Sequence, residues 1–197
     1  PWVNFGHNRS QSFCDAVTAA QRWGWDVRTS YALLQDADMQ LECPDVKAFL
    51  TACAGFTDRG YTLIQYNGSL RYHNTRLLRL DVPWKCVGVT HEYWDGATCS
   101  RIDFELLRIA DRGDGGCKGD KFERDCRLLE RGLEEEPKNV RYMFYLANTY
   151  RDMGKTKEAI AMYKRRIAAG GWAEEIWCSM FSIARIFASQ NDMIRAE

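Results

Sequence analysis

The sequence predicts an α/β domain over residues 1–112 and an all-α region of helical hairpins over 113–197. Three observations carry this reading. Short strand-patterned runs alternate with helix-patterned ones up to residue 110. A glycine-rich stretch, Asp111-Arg112-Gly113-Asp114-Gly115-Gly116, then marks a change in composition. Beyond it every patterned segment has helical spacing, and the first three are stopped by proline or glycine.

In the first region, residues 8–23 read as a helix with Ser10 or Ser12 as cap and Phe13, Val17 and Ala20 on one face. Residues 31–35, Tyr-Ala-Leu-Leu-Gln, form an apolar run expected as a buried strand that stops at Asp36-Ala37-Asp38. Pro44 to Phe56 reads as a second helix. Residues 61–66 and 71–80 flank Asn67-Gly68 and predict a hairpin. Residues 84–94 read as one further strand, and 102–110 fits strand or helix. In the second region, helices are expected at 122–135, 140–153, 157–169 and 173–188, joined by short turns as antiparallel neighbours.

Composition excludes several classes. Hydrophobic residues make up 46% of the 197 and charged residues 27%, the balance of a folded chain. Lys plus Arg and Asp plus Glu cancel at 27 each, so nothing announces nucleic acid or an anionic membrane surface. No apolar run approaches the roughly 20 residues that span a bilayer. The eight cysteines are scattered without metal-knuckle or redox spacing. They are expected as reduced, buried small residues, and this points to a cytoplasmic setting. Two glycosylation sequons, at Asn8 and Asn67, keep a secreted, disulfide-bonded alternative open. The chain opens at Pro1-Trp2 with no initiator Met or signal peptide, so it is expected to be part of something longer.

Three motifs bear on chemistry. Asp36-Ala37-Asp38 sets two hard oxygen ligands at a strand end, a position where ligands of open α/β sheets bind. Such ligands suit Mg²⁺ or Mn²⁺ bridging a nucleotide diphosphate. The bland reading of the triplet is a solvated turn, and the preceding strand is what raises it. His91-Glu92 pairs a potential metal ligand with a potential general base; otherwise His91 is a satisfied sheet-edge residue. The loop from Asp111 to Lys118 is an interdomain linker or an anion-binding turn, without a P-loop's spacing.

The helical region has a period. Leu146, Ala147, Tyr150, Gly154, Ala159 and Tyr163 fit the tetratricopeptide repeat of about 34 residues, with small residues where helices cross. Trp2-Val3-Asn4-Phe5-Gly6 with Asn8-Arg9-Ser10, then Leu33 to Met39, resembles the middle of family-2-type glycosyltransferases with the Rossmann-like GT-A fold. Trp84-Lys85 with Gly88-Val89-Thr90-His91-Glu92-Tyr93 is similar to a later segment of the same class. Residues 121–147 and Gly170-Gly171-Trp172 with Glu174-Glu175 resemble the tetratricopeptide tail that some of these enzymes carry.

The resemblance implies a partial GT-A domain followed by a repeat tail. It implies an enzyme that moves a sugar from a nucleotide-diphosphate donor to an acceptor hydroxyl, with inversion. Asp36 and Asp38 would bind metal and diphosphate, His91 a second metal or phosphate contact, and Arg9 a phosphate. Glu92 is the candidate general base, with Asp95, Asp111 or Asp114 as substitutes. The cofactor is Mn²⁺ or Mg²⁺. The partners are the donor, an acceptor that is a glycan, protein or small molecule, and a protein on the helical repeats. The nucleoside-binding βα unit of the class has no counterpart, so this chain alone is expected to bind sugar nucleotide poorly. Two other functions fit the same residues: a tetratricopeptide binding module on a degenerate α/β domain, and a nucleotide-sugar hydrolase.

Overall fold

A computed structural model describes residues 1–113 and 120–190. Two compact units make up the chain. One comprises Pro1–Val87 and Glu92–Gly116, the other Gly88–His91 and Cys117–Glu197.

The first unit is mixed α/β. Helix α1 spans Phe5–Arg22 and begins three residues before the expected start. Asn4 is its cap: the side-chain oxygen accepts from the His7 amide at 2.8 Å. Ser12 instead lies inside the helix and donates to the Asn8 carbonyl. Strand β1 (Tyr31–Leu33) is shorter than expected and is not a buried strand, because it lies on a sheet edge with Leu33 exposed. Strand β2 (Met39–Glu42) follows the aspartates, where the sequence pattern showed no strand. Helix α2 (Val46–Cys53) is capped by Asp45, which accepts from the Ala48 amide at 2.9 Å.

Strands β3 (Gly60–Asn67) and β4 (Leu70–Arg79) form the expected hairpin. Gly68 supplies the turn with φ 58°, a conformation that costs glycine little. The expected single strand over 84–94 is two short ones, β5 (Lys85–Val87) and β6 (Tyr93–Asp95), paired antiparallel. Gly88 at φ 121° and His91 at φ 51° turn the chain out of the extended state between them. The ambiguous stretch 102–110 is coil and turn until it enters strand β8 (Arg108–Asp111), and a two-residue strand, β7 (Ser100–Arg101), lies just before it.

The main sheet has the order β1-β4-β3-β8-β2, with β7 beside β3. Only β3–β7 and β3–β8 pair in parallel; the rest are antiparallel. This mixed sheet has two apolar faces. Phe13 and Ala20 of α1 pack with Leu78, Leu80, Val82 and Trp84 on one. Tyr61, Leu63, Leu77, Ile102, Leu107 and Ile109 fill the other. Leu63, Leu78 and Ile109 are fully buried, each contributing about 1.5–3 kcal/mol by removal from water.

The second unit is helical: α3 (Lys121–Glu135), α4 (Val140–Asp152), α5 (Thr156–Ala168) and α6 (Ala173–Ser189). Each expected helix is found to within a residue at either end. Pro137, Gly154 and Gly170 separate them, and both glycines have positive φ. Ala147, Ala159 and Tyr163 are all 0% exposed, so small side chains let α4 and α5 approach closely. Gly88–His91 belongs to this unit, with Val89 packed on the cluster of Leu129, Tyr142 and Leu146.

Candidate functional site

Within the first unit, charged side chains from separate elements meet around Asp36. Asp36 sits just beyond β1 in a tight turn closed by the Met39 amide donating to its carbonyl at 3.1 Å. Arg9, in the second turn of α1, donates through Nη2 to Asp36 Oδ1 at 2.5 Å. Arg76, inside β4, reaches Asp36 Oδ2 through Nη1 at 3.5 Å. Arg9 Nε also lies 2.6 Å from Glu92 Oε1. That contact is an ion pair outside hydrogen-bond alignment at Nε.

Beneath Asp36 the network continues inward. Arg76 is 6% exposed and Gln65 2%. Arg76 Nη2 donates to Gln65 Oε1 at 2.7 Å, Asn74 Nδ2 donates to the same oxygen at 3.3 Å, and Gln65 Nε2 donates to Asp111 Oδ2 at 3.1 Å. Burial pushes the Arg76 guanidinium below its ordinary pKa, and Asp36 only partly offsets this. Burial acts in the same sense on Arg9, but Asp36 and Glu92 together outweigh it and raise the pKa. Arg76 Nε is buried without a partner among the described residues. A buried guanidinium with an unmet donor is costly, so Asp36 and Gln65 are what make Arg76 tolerable there.

Asp38 differs from Asp36. Its carbonyl accepts from the Arg112 amide at 3.0 Å, closing β2 against β8. Its half-buried carboxylate makes no ion pair or hydrogen bond among the described residues.

The structure therefore brings together three residues singled out in the sequence for separate reasons: Arg9, Asp36 and Glu92. His91 is placed elsewhere. It belongs to the helical unit, where its ring stacks on Tyr145 at 4.0 Å and 7°. Its carbonyl accepts from Arg141 Nη2 at 2.8 Å. Of the substitute bases, Asp95 ends β6 and Asp111 holds Gln65 and the Gly113 amide. Asp114 and most of the glycine-rich loop lie outside the described residues. Arg76 and Gln65 had no signal beyond being polar residues within strand runs.

The donor set offers a divalent cation at most the carboxylates of Asp36 and Asp38. Among the described residues, no three His, Cys, Asp or Glu side chains stand close enough to hold a metal. Mg²⁺ and Mn²⁺ sites commonly use only one or two carboxylates, with water and substrate phosphates completing the shell. Among the described residues Asp38 is uncommitted, whereas both oxygens of Asp36 are engaged by guanidinium groups. A cation at Asp36 has to share or displace Arg9.

Comparison with known families matches a tetratricopeptide repeat over residues 128–161. The match runs from α3 through α4 into α5, so the helical unit contains a repeat of this type. No curated protein matches the chain. Among the described residues no helix is long and apolar enough to cross a membrane.

Proposed function

We propose that this protein is a metal-dependent glycosyltransferase with a GT-A-like first unit, moving a sugar from a nucleotide-diphosphate donor to an acceptor hydroxyl. The observation that carries the reading is the convergence of Arg9, Asp36 and Glu92 within 2.5–2.6 Å contacts. They come from a helix start, a strand end and the return from a loop.

Asp38 and Asp36 hold Mn²⁺ or Mg²⁺ in this reading. A cation held there would supply charge neutralisation for a departing diphosphate. Arg9 moves from Asp36 to a phosphate oxygen, an exchange that keeps its charge paired. Arg76 stays on the second oxygen of Asp36 and fixes the carboxylate's direction. Glu92, released by the same movement of Arg9, takes the proton of the acceptor hydroxyl. His91 is assigned no ligand role, since its ring is stacked on Tyr145.

The test is turnover by the intact protein of UDP-, GDP- and dTDP-sugars with Mn²⁺, read as released nucleoside diphosphate. Asp38→Ala is the variant of choice because no described ion pair depends on Asp38. Loss of turnover in a folded Asp38→Ala protein supports the reading. Full turnover in that variant contradicts it. Free sugar released without any acceptor marks a hydrolase.

The second reading, a protein-binding module, is favoured by the repeat match over residues 128–161. It predicts no turnover of any donor by the unmodified protein, together with partner capture that Asp38→Ala leaves intact.

A further inference from the structure

Helix α1 buries one face through Gly6, Phe13, Val17 and Ala20, at the three-and-four spacing of a core-facing stripe. Ser10 falls on that stripe, four residues after Gly6 and three before Phe13, where an apolar side chain is the rule. It is not the helix cap that its residue type suggests, because it lies in the helix interior. Nor does its hydroxyl bond back along its own helix, as that of Ser12 does. It crosses to β5 instead, accepting from the Cys86 amide at 2.9 Å and donating to the Cys86 carbonyl at 3.3 Å. Both backbone groups of Cys86 therefore face α1, and not β6, where Trp94 is the paired residue. Cys86 is 3% exposed, so losing the hydroxyl would strand two backbone groups out of water.

The contact sits beside the charged cluster. Arg9 precedes Ser10 in α1, and Glu92 immediately precedes β6, the partner of β5. One hydroxyl thus joins the helix that carries Arg9 to the strand pair that carries Glu92, and Arg9 Nε stands 2.6 Å from Glu92 Oε1. Neighbouring residues of a helix are rigidly linked, so a shift at Ser10 displaces Arg9 with it. We propose that Ser10 is a positioning residue that fixes Arg9 between Asp36 and Glu92, ready to transfer to a phosphate oxygen. Ser10 touches no ligand itself and acts through Arg9. The inference rests on the reading of the first unit as a binder of nucleotide diphosphate.

The test is calorimetric titration of the intact protein with UDP and GDP at saturating Mn²⁺. Ser10→Ala is expected to weaken diphosphate binding about fivefold, the size of one neutral hydrogen bond. Arg9→Ala should weaken it about tenfold, and the double variant about tenfold as well, not about fiftyfold, since Ser10 acts only through Arg9. A residue that merely holds the fold would leave the affinity of the folded protein unchanged. Ser12→Ala makes the same chemical change on the same helix and should alter nothing. Ser10→Cys keeps the volume with a much weaker donor and acceptor, so it should fall between the unmodified protein and Ser10→Ala. It carries the comparison if the alanine variant does not fold. Unmodified protein that binds neither diphosphate overturns the reading of the first unit and this inference with it. Binding that both Ser10 variants leave intact, or losses that multiply in the double variant, overturns the role of Ser10 alone.

Discussion

Arg9 and Asp36, 27 residues apart in sequence, meet at 2.5 Å while Arg76 takes the other carboxylate oxygen from inside the sheet. The pair is half-exposed, but the charge behind it is not. Removing Asp36 leaves Arg76 buried and uncompensated. Asp36→Asn is expected to cost about 1–3 kcal/mol in urea unfolding, the range for stranding a buried polar partner. Asp38→Asn should stay within about 0.5 kcal/mol, as for an ordinary surface change. Equal effects of the two would contradict the asymmetry between the aspartates.

A second buried pair staples the helical unit. Arg166 is 0% exposed, donates to Glu175 Oε2 at 3.0 Å and caps the Gly170 carbonyl at 2.6 Å. Arg166→Ala should destabilise the unit by about 3–5 kcal/mol, because Glu175 is left charged and buried. The double variant Arg166→Met with Glu175→Leu should cost less than Arg166→Ala alone, since it removes both charges and keeps volume. Chemical unfolding followed by circular dichroism decides between these orders.

Gly96 touches Trp84. A Cβ there would stand 2.6 Å from Cε3 of the indole, closer than side chains tolerate. Trp84 is 4% exposed and its Nε1 donates to the Arg79 carbonyl, so it has little freedom to move. Gly96→Ala is expected to cost about 1–3 kcal/mol, in the range of overpacked cores. The midpoint of thermal unfolding, read by tryptophan fluorescence, measures it.

Thiol reactivity should separate by burial. Burial pushes the Cys86 thiol up to about 12 from its ordinary 9.0, and Cys126 up to about 11. Cys14 is exposed. An alkylating reagent at pH 8 should label Cys14 readily and Cys86 only on unfolding. The folded state holds the Cys86 proton more tightly than the unfolded state does. Its contribution is therefore intact below pH 9 and lost as pH rises from 9 toward 12. Early labelling of Cys86, located by mass spectrometry, would count against this packing.

The helical unit was legible because its stops are chemical: Pro137, Gly154 and Gly170 end helices wherever they occur. The first unit was less so. Asn4 caps α1 from a position that pattern alone left as coil. The run from Trp84 to Trp94 looked continuous because Val and aromatic residues alternate there, yet Gly88 and a left-handed His91 break it. Strand partners are set by tertiary contact, so β1's place on an antiparallel edge could not be read from Tyr31 to Leu33. At the candidate site, Arg9, Asp36 and Glu92 carried local signals. Arg76 did not, because an inward arginine in a strand is indistinguishable from an outward one until its neighbours are placed.

The most direct measurement of the central reading is calorimetric titration of the intact protein with UDP and GDP, with and without Mn²⁺. Binding of at least one diphosphate should require Mn²⁺ and be lost in folded Asp38→Ala. It should also weaken about tenfold in Arg9→Ala, as when one charge-assisted contact is removed. Diphosphate binding that ignores both Mn²⁺ and Asp38→Ala, or no binding of either diphosphate at any Mn²⁺ concentration, would contradict it.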